Sequence, residues 1–165
     1  MHPIEVESYR ILRSRVDTGF LPPLTRAVVE RVIHTTADPT WIGDLVADEA
    51  ALAAGRAALL AGAPLVADVR MVAAAVTGRE CVVALDLPGV ADLALAEGLT
   101  RSTAGIRLAA RRYPDGAVWV IGNAPTALAD LVGSGVRPAL VIGVPVGFVG
   151  AVAAKAALRA SGLPA

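Results

Sequence analysis

Four short uncharged apolar runs, at residues 64–67, 81–85, 117–121 and 139–142, alternate with helix-compatible stretches through the second part of the chain. Each run ends at a polar residue or a glycine, namely Asp68, Asp86, Gly122 and Gly143, and then gives way to a helical pattern. This is how consecutive strand–helix units feed a parallel sheet. The runs are apolar throughout rather than alternating, which suits strands covered by helices on both faces. Before them, apolar residues at three- and four-residue intervals predict helices over 4–16 and 24–34, separated by Gly19 and Pro22-Pro23, and a third over about 48–61. The expected fold is α/β: a three-layer α/β/α arrangement with a mainly parallel sheet of about four to five strands, preceded by N-terminal helices. A length of 165 residues fits a single domain over 1–165.

The hydrophobic share of 55% excludes intrinsic disorder and raises the question of a membrane. The longest uncharged run, 138–154, is interrupted by Gly143, Pro145, Gly147 and Gly150, so it reads as strand, glycine loop and helix rather than a spanning segment. Residues 1–7 show no basic segment followed by an apolar one, so no secretory signal is expected and a cytoplasmic location is. A net charge of +0 gives no global reason to bind nucleic acid or an anionic membrane. Cys81 is the only cysteine, and His2 and His34 are the only histidines, so neither a disulfide nor a metal centre is expected. Cys81 itself is expected in a buried strand. Lys155 is the only lysine among 15 basic residues, and after Asp130 the chain carries Arg137, Lys155 and Arg159 with no acidic residue. Arginine grips carboxylates through two parallel hydrogen bonds, and biased codon usage produces the same skew.

In open parallel sheets ligands bind beyond the carboxyl ends of the strands. Two loops there stand out. In Gly122-Asn123-Ala124-Pro125-Thr126-Ala127, Pro125 fits the first position of a helix, and the free backbone N–H groups before it would form an anion cradle. The segment 143–150 has glycines where a ligand could approach the backbone. Neither has the spacing of a dinucleotide fingerprint or a P-loop, and two tight strand-to-helix turns read equally well. His34, at the end of the second predicted helix, is the default proton-transfer residue, although a helix-capping role is the commoner use of such a histidine. Ser8 and Tyr9 on the first helix offer hydroxyls, although a mid-helix pair is usually core or surface. Arg101 opens a helix with Thr100 or Ser102 as its cap, where a cation opposes the helix dipole; that mildly favours a role beside a ligand, although an exposed, solvated arginine is the commoner outcome.

At these same residues the chain resembles the precorrin-8X methylmutase family, which includes the cobalt-precorrin-8 methylmutases. The resemblance runs over nearly the whole chain, through Ser8-Tyr9-Arg10-Ile11-Leu12, residues 31–38, Gly62-Ala63-Pro64 through Asp68, Met71-Val72, Thr100-Arg101-Ser102, GNAPTAL at 122–128 and GVPVGFVGA at 143–151. It implies an isomerase of cobalamin biosynthesis that moves a methyl group from C11 to C12 of the macrocycle without an external cofactor, cobalt entering only as part of the substrate. The family's histidine falls on His34, implied as general acid, and its serine, threonine and arginine contacts fall on Ser8, Thr77 and Arg101. The substrate's carboxylates would find Arg101 and the backbone around Asn123 and from Gly147 to Gly150. Tyr9 is expected beside them. A homodimer with sites near the subunit interface is implied as well.

The departures from the family pattern are local. Ala153 and Ala154 stand where the family has an acidic residue and a serine before Lys155, and the connection before the second strand is trimmed to Gly78-Arg79-Glu80. Family members continue past the position of Leu163-Pro164 with a further strand, a glycine-rich basic turn and a helix, whereas this sequence stops at Ala165. An active methylmutase and a corrinoid-binding relative without turnover are both compatible with that pattern.

Overall fold

A computed structural model describes residues 2–165. The chain groups into two compact units, the first ending at Ala53 and the second spanning Ala54–Ala165.

The first unit is helical. Helix α1 (Pro3–Arg15) starts on a proline, and the His2 ring nitrogen caps it by accepting from the Ile4 N–H at 3.3 Å. Helix α2 (Pro23–Thr36) has no side-chain cap of its own. Its first free N–H groups, on Leu24 and Thr25, donate instead to the carboxylate of Glu49 at 2.9 and 2.8 Å, from the first turn of α4 (Glu49–Leu60). A single turn, α3 (Trp41–Asp44), lies between them in sequence. Leu12, Val29 and Ile33 form the small core of this unit, with Tyr9, Val16, Leu21, Ile42 and Leu45 packed around it.

Beside that core sits Glu30, only 3% exposed. Its carboxylate accepts from Arg13 at 3.1 and 2.6 Å, from the Arg26 Nε at 2.9 Å and from the Thr18 hydroxyl at 2.6 Å. A buried carboxylate is tolerable only when its lone pairs are taken up in this way. The result is one charged group tying α1, α2 and the turn between them.

The second unit holds a four-stranded parallel sheet: β1 (Leu65–Ala67), β2 (Val82–Val83), β3 (Val118–Ile121) and β4 (Leu140–Gly143), in the order β2-β1-β3-β4. Val66 pairs with both Val82 and Trp119, and Trp119 in turn with Val141. The strand assignments agree with the four apolar runs to within a residue except at the second. There Cys81 lies half-buried just before β2, and residues 84–86 leave the sheet as a 3₁₀ turn (Ala84–Asp86). The cause is packing. Helix α7 (Arg101–Arg112) passes so close that a Cβ on Gly105 would lie 2.7 Å from the Ala84 carbonyl oxygen. At the other edge Val141 donates its N–H to the Pro164 carbonyl at 2.8 Å, so the last residues lie against β4.

The remaining helices, α5 (Arg70–Ala74), α6 (Val90–Glu97), α8 (Pro125–Gly133) and α9 (Ala151–Ala160), join α7 around the sheet. Trp119, Ile121, Val66 and Val141 meet Ile106, Leu128, Leu131 and Leu158 in the main core, and Ala154 is part of it. An alanine at 154 therefore fills a core position. Among the described residues no helix is long and apolar enough to cross a membrane.

Two stability outcomes follow from the buried carboxylate of the first unit. Its three partners hold Glu30 down from the usual value near 4.5 to about 2, chiefly through the Arg13 hydrogen bond. A carboxyl depressed on folding contributes stability above its unfolded value, and that contribution drains away as pH falls toward 2. Acid titration of the helical signal should show the wild type losing stability between about pH 4.5 and 2, with Glu30→Gln destabilised at pH 7 by roughly 2–3 kcal/mol and flatter across that window. A Gln variant as stable as wild type at pH 7 would contradict the assignment.

Candidate active site

The order β2-β1-β3-β4 reverses direction between β1 and β3, and an α/β sheet opens a crevice beyond the strand ends at such a point. Asp68, the residue after β1, fills the floor of that crevice and is fully buried. One carboxylate oxygen accepts from Asn123 N and Ala124 N, both at 2.9 Å, and the other from Val69 N at 3.0 Å and Gly122 N at 3.3 Å. The turn is tight: a Cβ at Gly122 would come within 2.8 Å of Val72.

This corrects one expectation. The backbone N–H groups at 122–124 form an anion cradle, but the anion is the chain's own Asp68, so the Asn123 N–H is not free for a substrate carboxylate. The sequence offered only an acidic residue closing an apolar run, with no local signal of its partner 55 residues away.

The other expected residues of the second unit lie at helix starts and on loops. Arg101 is exposed at the first position of α7, capped as expected by the Thr100 hydroxyl, which accepts from Thr103 N at 3.2 Å. Among the described residues no carboxylate pairs with it, whereas Arg70 and Arg107 are bound by Asp86 and by Glu97 and Asp130. Thr77 is exposed on the connection from α5 to β2. Gly147 (φ 126°) and Gly150 (φ 80°) adopt backbone conformations that favour glycine, the second as the N-cap of α9. The loop between them and β4 is greasy: Val144, Val146, Phe148 and Val149 are all largely exposed.

In the first unit α1 and α2 bring Ser8, Tyr9 and His34 together. The Ser8 Oγ lies 2.6 Å from His34 Nδ1, and the Tyr9 ring stacks on the imidazole at 5.1 Å with 8° between planes. Arg13 and Arg31 place their guanidinium groups 5.6 and 5.7 Å from the centre of the Tyr9 ring. These three residues thus form one assembly. A cavity of about 300 Å³ opens beside it, lined by Ser8, His34, Ile4, Ile11, Leu12 and Pro39 among others.

The arrangement is suited to handling one proton. A serine hydroxyl can donate to a neutral Nδ1 or accept from a protonated one, so it serves both charge states of the ring. With Nδ1 engaged, Nε2 is the nitrogen left for exchange with a ligand. The stacked tyrosine fixes the plane of the ring. Among the described residues no group of three or more His, Cys, Asp or Glu side chains is placed to hold a metal ion. Burial pushes the Cys81 thiol up, the opposite of what a reactive thiolate needs.

The second unit has the open parallel sheet of an α/β protein, and the first unit holds a histidine ordered by a serine and a tyrosine beside a cavity. The family is shown by comparison with known proteins. The sequence model of the precorrin-8X methylmutase family (CbiC) matches residues 3–165. Cobalt-precorrin-8 methylmutase of Salmonella typhimurium is 37% identical, covering 98% of this chain and 83% of that one. Precorrin-8X methylmutase of Pseudomonas aeruginosa is 38% identical over 93% of this chain and 78% of its own. A crystal structure of precorrin-8X methylmutase from Thermus thermophilus superimposes with a TM-score of 0.85 at 39% identity, covering 98% of this chain and 82% of that one. The chain belongs to the precorrin-8X methylmutase family, whose members are isomerases.

The Ser8–His34 contact has a measurable consequence. Removing the hydroxyl in Ser8→Ala leaves Nδ1 without its partner, and kcat for the methyl shift, read from an absorption time course, should fall several-fold with KM within about twofold. An unchanged kcat in Ser8→Ala would show that the Ser8 hydroxyl does not hold His34 in its working position.

Proposed function

We propose that this chain moves a methyl group from C11 to C12 of precorrin-8X, or of its cobalt form, to give hydrogenobyrinate or cobyrinate in cobalamin biosynthesis, with His34 as the general acid. The observation that carries the reading is the Ser8–His34–Tyr9 assembly on a cavity of about 300 Å³. In a methyl shift one carbon–carbon bond breaks at C11 and another forms at C12, so the product has the composition of the substrate. No electron acceptor or methyl donor enters the balance. What the protein supplies is a ring held in one conformation and one proton lent to it and taken back. His34, protonated at Nε2, lends that proton, and Ser8 at Nδ1 steadies the ring through both charge states.

The substrate is rich in carboxylates. Arg101, unpaired among the described residues, has five N–H donors for one of them, and Thr77 and the backbone from Gly147 to Gly150 are the further contacts. The side chain of Asn123, rather than its backbone, is the group left to take part. No external cofactor is required; cobalt, when present, arrives inside the macrocycle as substrate. The exposed apolar side chains at Val144, Val146, Phe148 and Val149 support a homodimer in which a second subunit covers part of that surface, and the reading places the enzyme in the cytoplasm.

The test is a visible absorption time course with precorrin-8X or cobalt-precorrin-8, because moving the methyl group changes the conjugated chromophore. The wild type should carry the spectrum to that of the product, and His34→Ala should bind the same tetrapyrrole while losing about 10²–10⁴-fold in kcat. A spectrum that shifts on mixing and then stands still would make the chain a corrinoid binder without turnover, and a fully active alanine variant would remove His34 from the chemistry.

A further inference from the structure

Three threonine hydroxyls run in a line across the starts of two neighbouring helices. Thr103 Oγ1 lies 2.8 Å from Thr100 Oγ1, which lies 3.1 Å from Thr126 Oγ1. Thr100 is the N-cap of α7, immediately before Arg101, while Thr126 is the second residue of α8. Thr103 is buried and belongs to α7 itself, so it reinforces the cap without reference to anything outside the helix. Thr126 is different. It is the one member of the line that comes from another helix.

The start of α8 is a fixed point. The three N–H groups just before it, on Gly122, Asn123 and Ala124, are held by the buried Asp68 carboxylate, which is itself continuous with β1. Thr126, two residues beyond Ala124, inherits that position. The start of α7 is held differently: Thr103 and Ala104 bury its inner face, while on its outer rim Thr100 and Arg101 are exposed and Arg101 has no carboxylate partner among the described residues. An unpaired arginine at the first position of a helix also sits against the positive end of the dipole, so its own helix does not hold it in place.

We propose that Thr126 is a positioning residue for Arg101. Through the Thr100 hydroxyl it transfers the rigidity of the Asp68-bound turn to the first turn of α7, so that the guanidinium is presented to a carboxylate of the substrate in one orientation. The inference rests on the reading of Arg101 as a substrate contact. A long arginine side chain loses conformational freedom on gripping a carboxylate, and holding its backbone beforehand lowers that loss. The effect belongs to binding rather than to the chemical step.

The experiment is a double-mutant cycle on the full chain. Thr126→Val keeps the shape of the side chain and removes the hydroxyl; Thr126→Ser restores the hydroxyl. The Kd of hydrogenobyrinate or cobyrinate is read by absorption titration, and KM and kcat by the spectral time course. Thr126→Val should raise Kd and KM by about three- to tenfold, the range of one neutral hydrogen bond, with kcat within about twofold. Thr126→Ser should return both to near wild type. In an Arg101→Ala background, Thr126→Val should have no further effect.

Equal fold-changes in both backgrounds would make Thr126 a substrate contact in its own right and overturn the proposal, as would an unchanged Kd in Thr126→Val. A variant whose kcat falls while KM holds would overturn it too. If Arg101→Ala itself leaves Kd unchanged, or the wild type binds no tetrapyrrole, the functional reading beneath the proposal fails, and the proposal with it.

Discussion

The second unit is organised around a single buried carboxylate. Asp68 leaves the end of β1 with no access to water, and an isolated charge there would be prohibitively costly. It is satisfied because the turn after β3 presents three successive N–H groups and Val69 a fourth. The dependence is mutual: the turn could not leave those donors unpaired beneath the crevice, and the carboxylate could not remain without them. The parallel neighbours β1 and β3 are therefore tied at their ends as well as along their ladder. The helix that follows, α8, begins where Asp68 lets it begin.

The first unit uses the same device with charged donors. Glu30 gathers Arg13, Arg26 and Thr18, and Glu49 supplies the cap that α2 lacks. Glu49 ties the start of α2 to the first turn of α4, and the Glu30 cluster ties α1 to α2. That matters because Ser8 and Tyr9 come from one helix and His34 from the other, and a 2.6 Å contact does not survive a slip of either. Packing by Leu12, Val29 and Ile33 would bring the helices together, but it is the polar ties that specify which residues face each other.

Function in this family asks little of the protein in the way of chemical groups. A methyl shift within one molecule needs a proton donor and a shaped, ordered binding surface. The chain's inventory matches that: one histidine with its nitrogen held, an unpaired arginine, and glycines where the backbone turns sharply at 147 and 150. The departures from the family pattern at 153 and 154 fall on an exposed helix face and in the core, where Ala154 packs in the cluster that includes Leu158.

The α/β class, the four strands and the long helices were legible because each depends on local pattern: an apolar run of strand length, a three-to-four residue spacing, a proline at a helix start. The second strand was shortened because Gly105, twenty-two residues on, lets α7 crowd the chain after Val83. His34 stood out as one of two histidines, and Arg101 as a cation at the start of a helix, each inside a motif of the family. What the sequence could not display was which donors meet which acceptors. It marked 122–124 as an anion cradle and marked Asp68 as a strand-end residue, and only the fold showed that one fills the other. It marked Ser8 and His34 separately, 26 residues apart, and the packing of α1 on α2 made them a pair. Periodicity and composition act along the chain and are written there; a hydrogen bond between distant residues exists only after the backbone has been folded to bring them within 3 Å, and so it is the tertiary structure that decides it.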